Sequence, residues 1–458
     1  MTDFMKFTLN HLLIALLAAG AAALLSGLLL KPCRAWYLKR YPGNRFPMGK
    51  LLIGVLLVFY LLVLAWVTIL GREASYGGKI NLHWFRAVRS AWNLTATYTW
   101  LNIFINIAMF MPLGGAAVLL HRNLRNWLAP LLAGLILSGI IETVQYFTGK
   151  GFLDVDDLWC NTLGAFLGGC CVLALLSMKN KQWGRAAGNF LPVFLTAAIV
   201  AGFFLSYWLQ PYGNLPSAPD HRQKPESVVW TGAEALSEQP LNAMIYQAPA
   251  FTKETGEQFA EAFGKRHNLD LSSKNYYDGS AVYYDPGENY YLFLLYRDGS
   301  YLYQGKGFQK SASGSLTGQQ FMDILEAYEI AAPDGAEFSE GENGNYYMAA
   351  RQLKIQGGMY DGAVRCRVDA HGNVLELEQY LNFFEVYREE ALLSPARAFE
   401  KLQRGEFAGL YNPALDYEIT GWSLSYRADT KGFYRPVYIF DALADGEWIS
   451  GGLLVTAM

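Results

Sequence analysis

The chain has 458 residues, of which 52% are hydrophobic and 15% aromatic, and its formal net charge is −3 at pH 7. This near-neutral charge, with basic residues spread over short loops, argues against nucleic acid as a partner. The averages conceal two halves. Apolar runs separated by short charged gaps continue to about residue 209, and the chain beyond Pro211 has the composition of a soluble protein.

The apolar runs predict six membrane-spanning helices. Each run has roughly 20 residues, the length that crosses the hydrocarbon core of a bilayer. The predicted spans cover about residues 9–30, 50–70, 101–120, 128–148, 157–178 and 189–210. Because the first run has about 22 apolar residues, we interpret it as an uncleaved span and not as a signal peptide.

Basic residues in three gaps between the spans predict the orientation of the protein. They are Lys31, Arg34, Lys39, Arg40, Arg45 and Lys50 after the first span, Arg122 and Arg125 after the third, and Lys179, Lys181 and Arg185 after the fifth. The positive-inside rule places these gaps in the cytoplasm. The last span then delivers the C-terminal half to the outside, so we expect a multi-pass membrane protein with an extracytoplasmic C-terminal domain.

Polar residues and glycines share one face on each of three predicted spans, at about 100° of rotation per residue. They are Asn102 and Asn106 on the third span, Ser138, Glu142 and Gln145 on the fourth, and Asp157, Asn161, Gly164 and Gly168 on the fifth. Since the spans alternate in direction, Asn106, Glu142 and Asn161 are expected roughly 6–10 Å below the outer boundary. Ionisable groups are costly when they face lipid, so these faces predict an outward-facing polar pocket.

A purely structural interpretation also fits most of these residues. Asn, Gln and Ser in membrane helices often only hydrogen-bond their neighbours, contributing about 0.6–2 kcal/mol per contact. Gly164 and Gly168 form a stripe typical of close helix packing, and Pro112 with Gly114 is expected to break or kink the third helix.

The acidic residues divide between the two interpretations. Asp154 and Asp156 are explained as solvated residues that cap the fifth helix. Glu142 and Asp157 are harder to explain structurally, because two acids at one depth in a membrane must be hydrated, paired or protonated.

Three motifs, NIAMFMPLGG, SGIIETVQY and DVDDLWCNTLGAFLG, occur in the order and spacing of the VanZ-like family of bacterial membrane proteins, which this chain resembles and which is named for a teicoplanin-resistance protein. The resemblance covers roughly residues 50–178. It implies family positions at Asn106, Pro112, Gly114, Ser138, Glu142, Gln145, Asp154, Asp157, Asn161 and Gly164. The stretch INLHWFR resembles the family's outer loop. Trp84 stands where the family usually has a proline, so the resemblance is weaker evidence for a role of Arg86 than for the other family positions.

The resemblance implies a role in the bacterial envelope connected with glycopeptide sensitivity, and no defined reaction. Our preferred hypothesis is a pocket that binds a lipid-linked envelope precursor or a lipoglycopeptide and contributes to teicoplanin resistance or envelope sensing. Its ligand-binding residues would be Arg86, Asn106, Ser138, Glu142, Gln145, Asp154, Asp157 and Asn161.

Two alternatives remain open. One is an intramembrane enzyme in which Glu142 and Asp157 act as general acid and base on a lipid-linked substrate. The other is a scaffold that presents the C-terminal domain. No cofactor is expected, and no Cys and His spacing in the sequence is typical of a zinc site.

The C-terminal half opens with PYGNLPSAPDHRQKPES, a polar Pro-rich stretch expected to pack poorly. We therefore predict a membrane domain over residues 1–210, a linker over residues 211–230 and a third region over residues 231–458. This region predicts an extracytoplasmic α+β domain with antiparallel sheets, able to contact cell-wall material or an envelope protein.

Approximate internal repeats are predicted within this domain. TGEQF at Thr255 returns as TGQQF at Thr317, and LSPARAFEKL starts a third helix with Ser394 as its cap. Aromatic or β-branched stretches with Gly turns follow each helix and predict hairpins. Cys366 is the single cysteine of this half, so the domain has no internal disulfide, and its many tyrosines favour core packing over a ligand surface.

Overall fold

A computed structural model describes residues 32, 34–41, 48–72, 74, 79–277, 279–287, 289–306, 316–341, 345–409 and 416–458. These residues form two compact units. The helical unit contains the described residues up to Val88 together with Thr97–Leu209, and the sheet unit contains Arg89–Ala96 together with the described residues from Gln210 to Met458. The predicted first span, at about residues 9–30, lies outside the described residues, as do Lys31, Cys33 and Arg45.

Five helices in the described part are long and apolar enough to cross a membrane, at Leu51–Leu70, Thr97–Leu120, Leu128–Thr148, Val155–Lys179 and Trp183–Leu209. They correspond to the last five predicted spans. The helices of this part are α1 (Met48–Ala65, continued by a π-helical turn over Trp66–Leu70), α2 (Arg86–Leu94), α3 (Thr97–Leu120), α4 (Leu128–Thr148), α5 (Val155–Lys179) and α6 (Trp183–Leu209). A short parallel pair joins β1 (Ile80–Asn81) to β2 (Leu153–Asp154).

Helix α5 packs against α3, α4 and α6, and two of its glycines allow the close approach of α3. A Cβ atom on Gly164 would lie 2.0 Å from the carbonyl oxygen of Ile107, and one on Gly168 would lie 2.0 Å from that of Met111. Any side chain at these positions would therefore force the two helices apart.

Helix α3 continues through Pro112 as one helix, so the predicted break does not occur. The phenol of Tyr60 on α1 donates a 2.7 Å hydrogen bond to the carbonyl oxygen of Met109, close to the proline. Gly114 contacts α5 directly, because a Cβ atom there would lie 1.7 Å from the carbonyl oxygen of Ala165. Gly114 thus belongs to the same close helix contact as the glycines of α5.

The sheet unit has one 15-stranded sheet in its described residues, antiparallel except where β3 pairs with β14. Its strands are β3 (Ser227–Trp230), β4 (Asn242–Gln247), β5 (Ser273–Tyr277), β6 (Ser280–Tyr284), β7 (Tyr291–Leu295), β8 (Tyr301–Gln304), β9 (Glu337–Glu340), β10 (Asn345–Ile355), β11 (Gly358–Val368), β12 (Val374–Gln379), β13 (Asn382–Ala391), β14 (Asp416–Ala428), β15 (Phe433–Ala444), β16 (Glu447–Trp448) and β17 (Leu453–Thr456). The main path through the sheet is β3-β14-β15-β4-β13-β11-β12-β8-β7-β6-β5.

Three helices accompany this sheet: α7 (Lys253–His267), α8 (Gly318–Ala327) and α9 (Pro395–Gln403). Each precedes strands, and the predicted hairpins form as β7–β8, β11–β12 and β15–β16. Ser394 caps α9 as predicted, accepting the backbone N–H of Arg397 at 3.3 Å.

The internal repeat is not confirmed. Thr317 is the N-cap of α8, whereas α7 is capped by Thr252 and Thr255 is the third residue of the helix. The two similar motifs therefore start at different positions relative to their helices. The strands also merge into one sheet and do not form separate repeated units.

The Pro-rich stretch after the last span packs against the sheet, although its composition predicted poor packing. Tyr212 and Leu215 are only 7% and 6% exposed. The backbone N–H of Gly213 donates a 2.7 Å hydrogen bond to Asp429, which is fully buried in a turn between β14 and β15. Only a few apolar residues, such as Tyr212 and Leu215, make this packing possible, so the average composition of the stretch does not indicate it.

Three tyrosines near α7 belong to the core, whereas Tyr276 and Tyr277 are 37% and 42% exposed. Tyr283, Tyr301 and Tyr303 are between 2% and 6% exposed and pack in one hydrophobic cluster. Cys366 lies in the same cluster, and burial raises the pKa of its thiol to about 12. A thiol that is buried and protonated at neutral pH is a poor candidate for a disulfide with a second molecule.

Candidate functional site

The helical unit contains a group of polar side chains that we call the polar cluster: Asn106, Ser138, Glu142, Gln145, Asp154, Asp156, Asp157 and Asn161. A tight turn between α4 and α5 brings most of them together. Helix α4 ends at Gly149, which has a φ of 66° in the left-handed region that favours glycine. Strand β2 then pairs with β1 before α5 begins. Asp154 caps α5 by accepting the backbone N–H of Asp156 at 2.8 Å.

Glu142 faces this turn from the last part of α4 and is only 4% exposed. Its Oε2 accepts the backbone N–H of Asp154 at 2.9 Å. The side chain of Asp154 accepts a 3.0 Å hydrogen bond from Asn81 of β1. The turn therefore places the carboxyl groups of Glu142 and Asp154 close together.

Asp157 is the third residue of α5 and contacts Asn106 of α3, the residue that the sequence predicted there. Asn106 donates a 2.5 Å hydrogen bond from its Nδ2 to Oδ1 of Asp157. Asp157 and Asp154 both repel Glu142 electrostatically, whereas Arg72 attracts Glu142 and Asp157. Sequence reasoning missed Arg72, although its position directly after the second span was a usable signal.

The remaining predicted residues form separate pairs. Asn161 donates to the hydroxyl of Ser138 at 3.0 Å, and Gln145 donates to the carbonyl oxygen of Thr68 at 2.8 Å. All three predicted side chains are at most 5% exposed. Within the described residues, Oδ1 of Asn161 is buried and accepts no hydrogen bond. Asn102, by contrast, is exposed on α3 and lies one helical turn before Asn106.

Asp156 is not the solvated loop residue that the sequence suggested, because it is only 1% exposed. Its carboxylate accepts the backbone N–H groups of Phe85 and Ala87, both at 2.6 Å, and the indole N–H of Trp159 at 2.8 Å. Asp156 thus holds the stretch in which Phe85 adopts a positive φ of 61°. Arg86 lies between the two backbone donors at the start of α2.

This arrangement can bind polar groups in two ways. Glu142, Asp154 and Asp157 offer acceptors for hydroxyl or ammonium groups, and Arg72 offers a guanidinium to phosphate or carboxylate. In the part of the chain that the structure describes, no group of three or more His, Cys, Asp or Glu side chains is placed to hold a metal ion.

A family model and a curated protein each match part of the chain. The family model described as VanZ/LLP1 matches residues 57–177. The curated protein named Protein VanZ from Enterococcus faecium is 31% identical over 153 residues, which cover 32% of this chain and 88% of that protein.

A solved structure also matches in part. The crystal structure of an uncharacterized protein from Eubacterium rectale covers 53% of this chain and 90% of its own chain, with a TM-score of 0.27 and 14% sequence identity.

Proposed function

Because the chain belongs to the VanZ-like family through its helical unit, we propose that the polar cluster of this membrane protein binds the polar part of a lipid-linked envelope precursor or of a lipoglycopeptide. The consequence is a contribution to glycopeptide resistance, teicoplanin resistance above all, or to envelope sensing. The whole polar cluster lies within the matched residues 57–177. This position supports assigning the family role to the cluster.

One observation supports the proposal: two acids, of which Glu142 is buried and Asp157 is half-buried, accept few hydrogen bonds from the protein. Glu142 accepts one hydrogen bond and Asp157 accepts one, within the described residues. A carboxylate has about four acceptor positions. Such acids are costly in a membrane unless they meet water, a cation or a ligand rich in donors. Sugar hydroxyls and the ammonium groups of a glycopeptide are donors of this kind.

The proposal requires the cluster to face outward. Basic residues in the gaps after α3 and α5 support a cytoplasmic position for those gaps, and the turn between α4 and α5 is then outside. The same orientation delivers the C-terminal domain to the extracytoplasmic side.

Labelling of intact cells with a membrane-impermeant maleimide tests this orientation. Single cysteines are introduced as Glu447→Cys in the C-terminal half and Arg125→Cys after α3, at sites that are both exposed. The background lacks the native cysteines Cys33, Cys160, Cys170, Cys171 and Cys366. We expect labelling of Glu447→Cys alone. Labelling of Arg125→Cys alone would show that the protein has the opposite orientation and would contradict the proposal.

Antibiotic susceptibility tests the binding role of the cluster. Wild type is expressed in a sensitive Gram-positive host beside Glu142→Gln and Asp157→Asn at equal membrane levels. We expect wild type to raise the inhibitory concentration of teicoplanin severalfold and both variants to lose this protection. Vancomycin is the comparison drug, because it lacks the lipid tail.

Two asparagines on α3 provide a matched control. Asn106→Ala removes the donor to Asp157, and Asn102→Ala removes an exposed amide one helical turn away. Loss of protection in the first variant alone assigns the effect to the cluster. Equal effects of both variants, or no protection by wild type, would overturn the proposed function.

A scaffold role is the second candidate, and the pairs Asn161–Ser138 and Gln145–Thr68 favour it. These contacts join helices and need no ligand. If the cluster is only structural, Glu142→Gln will lower membrane level or thermal stability and leave protection per molecule unchanged. Thermal unfolding of the purified variant separates the two candidates.

A further inference from the structure

The sheet unit contains a pocket next to the stretch that follows the last membrane span, which we call the juxtamembrane pocket. Its volume is about 330 Å³, within the range of roughly 300–1,000 Å³ that is usual for ligand sites. It is lined by residues 210–215, by Asn93 at the end of α2, and by Arg435 of β15 and Thr456 of β17. Asn93 donates a 3.0 Å hydrogen bond to the carbonyl oxygen of Ala218, which keeps the end of α2 beside this stretch.

Two of the lining segments are joined directly to membrane spans. Gln210 is the first residue after α6, and Asn93 lies four positions before Thr97, where α3 begins. Four residues of extended chain reach at most about 14 Å. The start of α3 and the end of α6 lie on the same side of the membrane, because the chain crosses it four times between them. The pocket is therefore within reach of the lipid headgroups on that side.

Arg435 is the one charged side chain among the described residues that line the pocket, and it is half-buried. Its guanidinium donates to the carbonyl oxygen of Gly213 at 2.9 Å and lies 3.6 Å from Sδ of Met458. The guanidinium carbon also lies 5.2 Å from the centre of the Tyr212 ring. Within the described residues, its buried Nε has no hydrogen-bond partner. A carbonyl, a thioether and a ring carry no full negative charge, so they do not neutralise the guanidinium.

The two acids that attract Arg435 are already occupied by other donors. Asp429 accepts three backbone N–H groups at 2.7–2.9 Å. Glu390 accepts the hydroxyl of Tyr212 at 2.7 Å and pairs with Arg388 at 2.5 Å. Burial lowers the pKa of Arg435 although both acids act in the opposite direction. The charge of the buried guanidinium is thus only partly compensated by the protein.

The surroundings of Arg435 add positive charge and a further donor. Across the β14–β15 pair Arg435 is opposite Arg427, so its cross-strand neighbour is a second cation and not a carboxylate. Lys431 donates to the carbonyl oxygen of Gln210 at 2.5 Å. The hydroxyl of Thr456 accepts a 3.1 Å hydrogen bond from Lys401, which leaves its O–H able to donate into the pocket. A guanidinium and a hydroxyl together suit the oxygens of a phosphate group.

We propose that the juxtamembrane pocket binds the phosphate of an anionic phospholipid headgroup, which pairs with Arg435 and accepts a hydrogen bond from Thr456. The acyl chains of this lipid remain in the bilayer. The short distance along the chain from the pocket to two span ends favours a lipid over a soluble phosphate as the source of the anion. This site is separate from the polar cluster, and the inference does not rest on the function proposed for that cluster.

The first test titrates the purified full chain in detergent with dihexanoyl phosphatidylglycerol and follows thermal unfolding. We expect a saturable rise in melting temperature. Glycerol 3-phosphate and dihexanoyl phosphatidylcholine should need about tenfold higher concentrations for the same rise, because the first lacks acyl chains and the second has no net charge. Equal potency of glycerol 3-phosphate would assign the pocket to a soluble phosphate, and equal potency of phosphatidylcholine would show that no anion is recognised. Either result would overturn the proposal.

The second test removes the guanidinium. Arg435→Gln should weaken the binding of dihexanoyl phosphatidylglycerol about tenfold, because it removes a charge-assisted hydrogen bond. Arg351→Gln is the matched control, since it removes the same charge from an exposed position on β10. Each shift is measured against the variant's own melting temperature without lipid, so a purely structural role of Arg435 would leave the affinity unchanged. Equal weakening by both variants, or by neither, would contradict a specific site.

A third variant covers the case in which Arg435→Gln does not fold. Thr456→Val keeps the shape of the side chain and removes the hydroxyl, so the affinity should fall about three- to tenfold. Thr420→Val, at a position that does not line the pocket, is its control and should bind as wild type does. An unchanged affinity of Thr456→Val would remove the hydroxyl from the site and would overturn the proposal in that case.

Discussion

The helical unit and the sheet unit place apolar and polar side chains in opposite ways. In α4, Phe147 is 79% exposed while Ser138 and Glu142 are at most 4% exposed. In the sheet unit, Phe440 is fully buried and Glu447, in the hairpin that follows it, is exposed. Lipid is as apolar as a leucine side chain, so apolar burial does not hold membrane helices together, whereas water drives apolar side chains into the sheet core.

The comparison teaches that the two units depend on different contacts. Glycines that admit a neighbouring backbone, and paired polar groups, hold the helices. Burial of aromatic rings holds the sheet. Substitutions that remove one kind of contact should therefore have large effects in one unit and small effects in the other.

The largest effect is expected for Phe440→Ala in β15. Loss of a fully buried ring leaves a cavity and should lower the free energy of unfolding by about 3–5 kcal/mol. For a unit of this size the melting temperature should fall by about 6–20 °C. Phe338→Ala is the control, because that ring is 46% exposed and its loss should cost far less. Similar melting temperatures for both variants would contradict an aromatic core.

The next largest effect is expected for Gly164→Ala in α5. The added Cβ atom would lie 2.0 Å from a carbonyl oxygen of α3, and overpacking of this kind costs about 1–3 kcal/mol. Gly139→Ala on α4 is the control, since no atom of a neighbouring residue lies within 4 Å of its added Cβ. Thermal unfolding in detergent should show a loss for the first variant alone. An unchanged melting temperature for Gly164→Ala would show that the helices are not held by close backbone contact.

A smaller effect is expected for Ser138→Ala, which leaves the amide of Asn161 without its 3.0 Å partner. Interhelical hydrogen bonds in membranes contribute about 0.6–2 kcal/mol. Thr143→Val is the control, because its exposed hydroxyl bonds within its own helix at 2.6 Å. If Ser138→Ala loses no more thermal stability than Thr143→Val, polar pairs between helices do not stabilise the helical unit.

The smallest effect is expected in the pH dependence of the sheet unit. Burial, and then the charge of Arg266, lowers the pKa of His267 below its usual 6.5. The unfolded chain therefore binds a proton more readily, so stability falls as the pH drops from about 6.5 toward the folded pKa.

His267→Gln should make the melting temperature less dependent on pH in this window. His371→Gln, at an exposed turn, is the matched control and should follow wild type. An identical pH profile for wild type and His267→Gln would mean that the ring titrates alike in both states.

The predictability of the site differed from residue to residue. Helical periodicity placed Asn106, Glu142 and Asp157 on inward faces, and the structure brings these three into one cluster. Asp156 was misjudged, because a capping position in a sequence looks solvated unless the loop that buries it is known. Arg72 was missed although it follows the second span directly, because the sequence does not show which acids it faces.

The sequence by itself determined the five described spans, the hairpins, the Ser394 cap and the family, because these depend on local length, period and motif. Only the tertiary structure decided that α3 continues through Pro112, that residues 211–215 pack on the sheet, and that the two TG motifs are not equivalent. Those features depend on contacts between residues far apart in the chain. Local propensity cannot encode such contacts, because partners in another element supply their free energy.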